Sequence, residues 1–235
     1  MTNNVLVISG ASKGIGLATA ELFAENGYKV INLSRGLCPV ATAINLEVDL
    51  LDQDWPEKWR DKLMSEVGEP SRLVVVHSAG MLTKDAVASI DAEVLRSVLQ
   101  LNVVAAAQLN KLLIPAMKEG SSLLYISSTL GTKAVANTHA YVISKHAVIG
   151  QMRATCQDLA GKMIHTACVC PGFTETEMLQ NHLQKNPALY DQLASHMALK
   201  RLAQPSEIAD TLWFCSQNPV INGSVIHANL GQIEQ

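Results

Sequence analysis

Tyr141 and Lys145 lie four residues apart in the stretch Ala140-Tyr141-Val142-Ile143-Ser144-Lys145. That spacing sets two side chains beside each other on one face of a helix. A phenol next to an ammonium is a device for moving protons. The cation favours the phenolate and draws the tyrosine pKa down from about 10 toward the working pH. A shift of roughly 3 units takes about 4 kcal/mol of differential stabilisation. The product is a general acid/base suited to an alcohol or carbonyl oxygen. Taken singly, the pair equally describes a helix with a half-buried tyrosine and a solvated lysine, so its meaning rests on the residues around it.

A second chemical feature stands near the start. Ser9-Gly10-Ala11-Ser12-Lys13-Gly14-Ile15-Gly16 follows an apolar run, Val5–Ser9, and opens a helical one, Gly14–Asn26. Glycines permit a tight turn and a close backbone approach to a pyrophosphate, while a helix N-terminus offers free N–H groups and a positive dipole end. The spacing is G-x-x-x-G-x-G, and its place after the first strand is the context a dinucleotide turn requires. About 20 residues on, an NAD site places an acidic residue on the ribose. Here Ser34 and Arg35 occupy that place, with Lys13 in the glycine turn. A hydroxyl and two cations suit a 2′-phosphate, so NADP is the expected cofactor, with NAD as the alternative; two solvated surface cations are the plain reading.

Elements able to position these residues alternate along the chain. Val5–Ser9, Lys29–Leu33, Ala43–Val48, Leu73–His77, Leu123–Ser127, His165–Cys170 and Val225–Ala228 are short and rich in Val, Ile and Leu, without clean polar alternation. Strands buried on both faces of a parallel sheet have this composition. Gly14–Asn26, Trp55–Val67, Asp91–Lys118, Thr138–Gly161 and Pro205–Ser216 have helical patterns. The expected class is therefore α/β: a doubly wound parallel sheet of about seven strands with helices on both faces, one domain over residues 1–235. Ser34–Pro39 reads as a loop, which leaves the second crossover short and irregular. Phe173–Leu202, with Met178, Leu179, His182, Leu183, Tyr190 and Met197, reads as a mobile lid over a moderately apolar substrate pocket.

Of the 235 residues 48% are hydrophobic and 17% charged, enough apolar material for a large core, and the net charge of −3 argues against a nucleic-acid or membrane-surface partner. No run of about 18 uninterrupted apolar residues stands out as a membrane span, and Met1–Asn4 carries no basic leader. Five cysteines without a C-x-x-C suit a reducing, cytoplasmic compartment. Cys168 and Cys170 are more simply alternate strand positions than metal ligands, and no metal is expected.

With its glycine turn, its Tyr/Lys pair and the motifs between and after them, the chain resembles the short-chain dehydrogenase/reductase family in its compact form. The ordered motifs are Gly10–Gly16, Asp49-Leu50, Ser78-Ala79-Gly80, Asn102, Ser128, Tyr141/Lys145, Pro171-Gly172 and Arg201–Ala209, and they span essentially the whole length. The resemblance implies a Rossmann fold and reversible hydride transfer between a nicotinamide and a carbonyl or secondary alcohol. Tyr141 would move the proton, Lys145 would lower its pKa and bind the nicotinamide ribose, and Ser128 would hold the substrate oxygen. Asn102 would organise a water linking Lys145 to solvent. Asp49 and Leu50 would meet the adenine, and Pro171, Gly172 and Thr174 the nicotinamide, with Gly10, Ser12, Lys13, Gly14, Ile15, Gly16, Ser34, Arg35, Ser78, Ala79 and Gly80 lining the rest of the cofactor site. It also implies a homo-oligomer, dimer or tetramer, joined through Asp91–Lys118 and Thr138–Gly161. His77-Ser78-Ala79-Gly80 departs from the usual Asn-Asn-Ala-Gly, Ala167 from a usual Asn, and the end at Gly223–Gly231 lacks Asp-Gly-Gly. The alternatives of another class are a non-catalytic NADP-binding redox sensor and a lyase or epimerase on the same fold.

Overall fold

Successive side chains of a strand point to opposite faces, and the first strand divides its residues on that rule. Val5 and Val7 join one apolar cluster, Leu6 and Ile8 another, and all four are fully buried. Each such side chain contributes about 1.5–3 kcal/mol by leaving water. In the computed structural model, which describes residues 3–183 and 187–232, with no side chain described at 182 or 187, this strand is β1 (Asn4–Ser9). It lies near the middle of a seven-stranded parallel sheet in the order β3-β2-β1-β4-β5-β6-β7. The others are β2 (Lys29–Ser34), β3 (Ile44–Glu47), β4 (Arg72–His77), β5 (Ser122–Ile126), β6 (His165–Pro171) and β7 (Ser224–Ala228).

Helices cover both faces, as the double burial of the strands requires. On the Val5/Val7 face pack α2 (Trp55–Val67), α4 (Ala105–Leu113) and α5 (His139–Asp158), through Trp55, Leu63, Leu109, Leu113, Val148 and Met152. On the other face α1 (Gly14–Glu25) meets α8 (Pro205–Gln217) through Phe23, Ile208 and Leu212. There Phe23 sets its ring edge-on to Tyr28 and Trp213, with centroids 5.0 and 4.9 Å away, a favoured aromatic geometry. Two short helices, α6 (Glu177–His182) and α7 (Pro187–Ser195), fill the segment expected to form the lid.

The chain leaves β1 for β2 and β3 on one side, then returns to β4 on the other. This reversal opens a crevice beyond the C-terminal ends of β1 and β4, where α/β sheets bind ligands. No helix joins β2 to β3, in keeping with the short second crossover.

The stretch Asp91–Lys118, expected as one helix, is composite. Asp91 caps α3 (Ala92–Leu99) by accepting from the Glu93 N–H at 2.7 Å. A π-helical turn, Gln100–Val104, follows, then α4 and a 3-10 turn at Ile114–Ala116 that contains Pro115. The run Ala92–Ala116 is long and apolar enough, by length and composition, to cross a membrane, with mean hydropathy 1.3. Its side chains Leu109 and Leu113 pack in the cluster on the Val5/Val7 face of the sheet, Val98 is fully buried, and Asn102 and Asn110 are buried with them.

Candidate active site

α5 carries Tyr141 and Lys145, and its start is held from outside. The Asp85 carboxylate accepts from the Ala140 N–H at 2.9 Å, and the His139 N–H donates to the Asp85 carbonyl. His139 thus belongs to the helix start and is not among the residues that line the cleft. One turn on, Ser144 donates to the Tyr141 carbonyl at 2.8 Å and accepts from the Asn102 carboxamide at 2.9 Å. Ser127, the last residue before Ser128, donates to the Lys145 carbonyl at 2.8 Å. The helix bearing the pair is therefore pinned at Ala140, Tyr141 and Lys145, by the β4–α3 loop, by the π turn and by the end of β5.

Ser128 caps the 3-10 turn Thr129–Gly131, accepting from the Leu130 N–H at 3.1 Å. Ser128 thus satisfies a local backbone N–H, as strand-end serines commonly do, and this leaves its hydroxyl proton free to be donated elsewhere. Burial pushes the partly buried Tyr141 phenol up to about 12, with a hydrogen bond to Ser128 acting in the opposite direction. Burial draws Lys145 down to about 8. Its ammonium donates to the Ile126 carbonyl at 2.9 Å and stands 5.5 Å above the Tyr141 ring centroid. Desolvation of the phenolate dominates at this geometry, and the single bond to the Ile126 carbonyl leaves the Lys145 ammonium two further N–H donors.

Asn102 is anchored behind the pair. Its carboxamide is committed to the Met81 backbone, accepting at 2.9 Å and donating at 3.1 Å, and to Ser144. It makes no hydrogen bond to Lys145 among the described residues. It stands behind the cleft wall at Gly80, where a Cβ would meet the Asn102 Oδ1 at 3.5 Å and the Lys145 Nζ at 3.7 Å. The π turn, a form often found at functional sites, places this amide between the β4–α3 loop and α5.

The cleft has a volume of about 860 Å³. Ser128, Tyr141 and Lys145 line it, together with Gly10, Ser12, Lys13, Gly14, Ile15, Gly16, Ser34, Arg35, Asp49, Leu50, Ser78, Ala79, Gly80, Pro171, Gly172 and Thr174. Every cofactor-site residue expected from the sequence thus falls on one surface. The glycine turn fits a dinucleotide backbone on its own geometry. A Cβ on Gly16 would lie 2.1 Å from the Gly10 carbonyl oxygen, and one on Gly10, at φ +78°, 2.8 Å from the Ala79 Cα. No side chain caps the first turn of α1, so its N–H groups remain free for an anion. Buried Asn32 ties this turn to β2, accepting from the Ala11 N–H at 3.0 Å and donating to the Gly36 carbonyl at 3.2 Å.

The three groups expected near a 2′-phosphate are not equivalent. Lys13 is paired with Glu177 of α6 at 2.8 Å. Ser34 donates to the Gly36 carbonyl at 2.6 Å. Arg35 is exposed and has no ion-pair partner among the described residues. Asp49, besides lining the cleft, accepts from the Leu51 N–H at 3.0 Å.

Of the lid residues, Met178, Leu179 and Leu183 line the cleft, joined by Leu189, Gln192 and Leu193, which the sequence reading did not single out. Met197 is buried away from it, and Tyr190 donates to Glu175. The His182 side chain lies outside the described residues. Also missed were Ser127, Ser144 and Asp85. Ser144 had a visible signal, a small polar residue inside the Tyr141–Lys145 turn. Asp85 had none, because only the tertiary fold brings it to α5.

His77, which stands where relatives usually have Asn, is buried. Its Nε2 lies 2.8 Å from the Asn110 Oδ1, and Asn110 donates to the Tyr125 hydroxyl at 2.7 Å. Burial lowers its pKa to about 4. Cys168 and Cys170 are buried on β6, and among the described residues no group of three or more His, Cys, Asp or Glu is arranged to hold a metal.

Comparison with known proteins agrees with this geometry. A family model described as Enoyl-(Acyl carrier protein) reductase matches residues 10–232. Carbonyl reductase family member 4 of Xenopus tropicalis is 28% identical over 231 residues, 94% of each chain. The 3-oxoacyl-[acyl-carrier-protein] reductase FabG of Thermotoga maritima is 28% identical over 249 residues, 99% of each chain. The solved structure of Thermoplasma acidophilum aldohexose dehydrogenase, 27% identical, superposes with a TM-score of 0.91 over 98% of this chain and 94% of that one. A match along nearly the whole length, on the same parallel sheet, makes the chain an oxidoreductase of the short-chain dehydrogenase/reductase family.

Proposed function

We propose that the protein catalyses NADPH-dependent reduction of a carbonyl compound to a secondary alcohol, with Tyr141 as the proton donor. The observation that carries this reading is that the Ser128 hydroxyl and a phenol held protonated share one wall of the cleft. A group with a pKa of about 12 is a phenol throughout the neutral range, and it still gives its proton readily to the stronger base, an alkoxide. Ser128, whose oxygen already accepts from Leu130, donates to the carbonyl oxygen and orients it. Lys145 places a cation beneath the tyrosine ring and stabilises negative charge as it develops there.

A nicotinamide dinucleotide bound in the cleft supplies the hydride. The Gly10–Gly16 turn and the free N–H groups of α1 would take its pyrophosphate, Asp49 and Leu50 would border the adenine, and Pro171, Gly172 and Thr174 the nicotinamide. Arg35, exposed and without an ion-pair partner among the described residues, supports NADP over NAD, because it is free to meet a 2′-phosphate. The test is steady-state consumption of NADPH and NADH with a panel of ketones and aldehydes. The expected result is turnover with a lower KM for NADPH; no turnover of any carbonyl sinks the reading, and a preference for NADH sinks the cofactor assignment.

The working unit is a homo-oligomer assembled across the composite α3–α4 segment and α5. Val104 on the π turn and Ile143 on α5, 41% and 38% exposed, support an apolar contact there. Light scattering giving the mass of a monomer would refute it.

A further inference from the structure

Charge is distributed unevenly round the cleft. Lys13 and Glu177 pair with each other, Lys145 is buried at the base, and Arg35 and Asp49 lie at the ends of β2 and β3, on the nucleotide side. Leu82, Leu130, Val135, Met178, Leu183 and Leu189 give the cleft a large apolar lining. Lys84 also lines the cleft; it is exposed and has no ion-pair or hydrogen-bond partner among the described residues.

The backbone around Lys84 is fixed relative to the reacting groups. Its neighbour Asp85 forms a bridge with Thr138, its N–H donating to the Asn137 carbonyl and its carbonyl accepting from the His139 N–H, each at 3.2 Å. The Asp85 carboxylate is occupied by the Ala140 N–H at 2.9 Å and the Thr83 hydroxyl at 2.6 Å. Asp85 therefore does not neutralise Lys84; it locks the loop to the residue before Tyr141. A flexible four-carbon stem then carries the ammonium from a rigid base at the mouth of an apolar chamber.

We infer that Lys84 anchors an anionic head of the substrate, and that the substrate is an apolar oxo-acid whose carboxylate lies several bonds from the carbonyl that Ser128 and Tyr141 hold. An apolar body fills the chamber formed by Leu82, Leu130 and the α6–α7 side chains. The carboxylate meets the Lys84 ammonium, unpaired among the described residues, and the chain length between the two sets which carbonyl reaches Tyr141. This substrate class rests on the reductase reading above, but binding to Lys84 does not.

The test is calorimetric titration of the protein with octanoate and with octanamide, which share an apolar chain and differ in the anion. Octanoate is expected to bind about threefold more tightly, as an ion pair to an exposed ammonium provides. Lys84→Met is expected to abolish the difference with octanamide binding unchanged, and Lys84→Arg to keep it. Equal binding of the two ligands, or a preference that survives Lys84→Met, overturns the anchor. Turnover of a medium-chain oxo-carboxylate is then compared with that of its methyl ester. Reduction of the ester without any octanoate preference leaves the reductase standing and removes the anchor. A Lys84-dependent octanoate preference with no oxo-compound reduced keeps the anchor and removes the reductase.

Discussion

At the scale of single residues, the reacting groups are held in protonation states that the fold imposes. Tyr141→Phe removes the proton donor and keeps the ring over which Lys145 lies. Turnover is expected to fall by about a hundredfold or more with the melting temperature little changed; near-normal activity would exclude Tyr141 as the donor. Lys145 stands apart because the fold works against its charge. Its folded pKa of about 8 lies below the ordinary 10.5, so the unfolded chain binds more protons between those values and stability rises with pH across that window. Below pH 8 the charge costs up to about 3 kcal/mol. Lys145→Met is expected to raise the melting temperature at pH 7, to lose that gain by pH 10.5, and to reduce turnover at both. Thermal denaturation at the two pH values checks the sign, and a variant less stable at pH 7 contradicts it. His77 behaves alike in acid: with a folded pKa of about 4 against 6.5, it stabilises the protein fully above pH 6.5, and that contribution is lost as pH falls through 4, again up to about 3 kcal/mol. A His77→Asn variant is expected to show a flatter loss of stability over that range.

At the scale of elements, close approaches decide what a segment tolerates. Gly16→Ala would drive a methyl into the Gly10 carbonyl oxygen at 2.1 Å, in backbone that cannot yield without opening the glycine turn. We expect loss of NADPH binding by calorimetry together with a destabilisation of about 2 kcal/mol or more; unchanged cofactor affinity would show that the turn is not the pyrophosphate site. The strands and most helices were legible because apolar runs report burial directly, and β1, β2, α2 and α8 lie within about a residue of the expected ends. The π turn was not legible. Its extra residue changes hydrogen-bond partners without changing the apolar period, so Asp91–Lys118 reads as one helix. Nor were the partners of Asn102 and Lys145, because Met81, Ser144 and Ile126 meet them only through the fold. The cleft residues were readable as a set of motifs, whereas the effect of burial on the Tyr/Lys pair was not, since spacing conveys proximity and says nothing of desolvation.

At the scale of the whole molecule, the sheet order has a consequence in time. Val5 pairs with Lys29 on one side and with Leu73 on the other. Closing the longer loop costs about 0.9 kcal/mol more chain entropy by the logarithmic scaling of loop length. We expect the β1–β2 half to form early and the β1–β4 seam to be joined late. Val30→Ala is expected to slow refolding, and Val169→Ala chiefly to speed unfolding, in stopped-flow measurements; the reverse pattern would place the nucleus elsewhere. The cleft opens across that same late seam, so the site is absent from the rate-limiting ensemble. A ligand that binds only the finished crevice cannot hasten folding; it can only delay escape. NADPH added during refolding should leave the folding rate unchanged and lower the unfolding rate, making the cofactor a kinetic lock on the native protein.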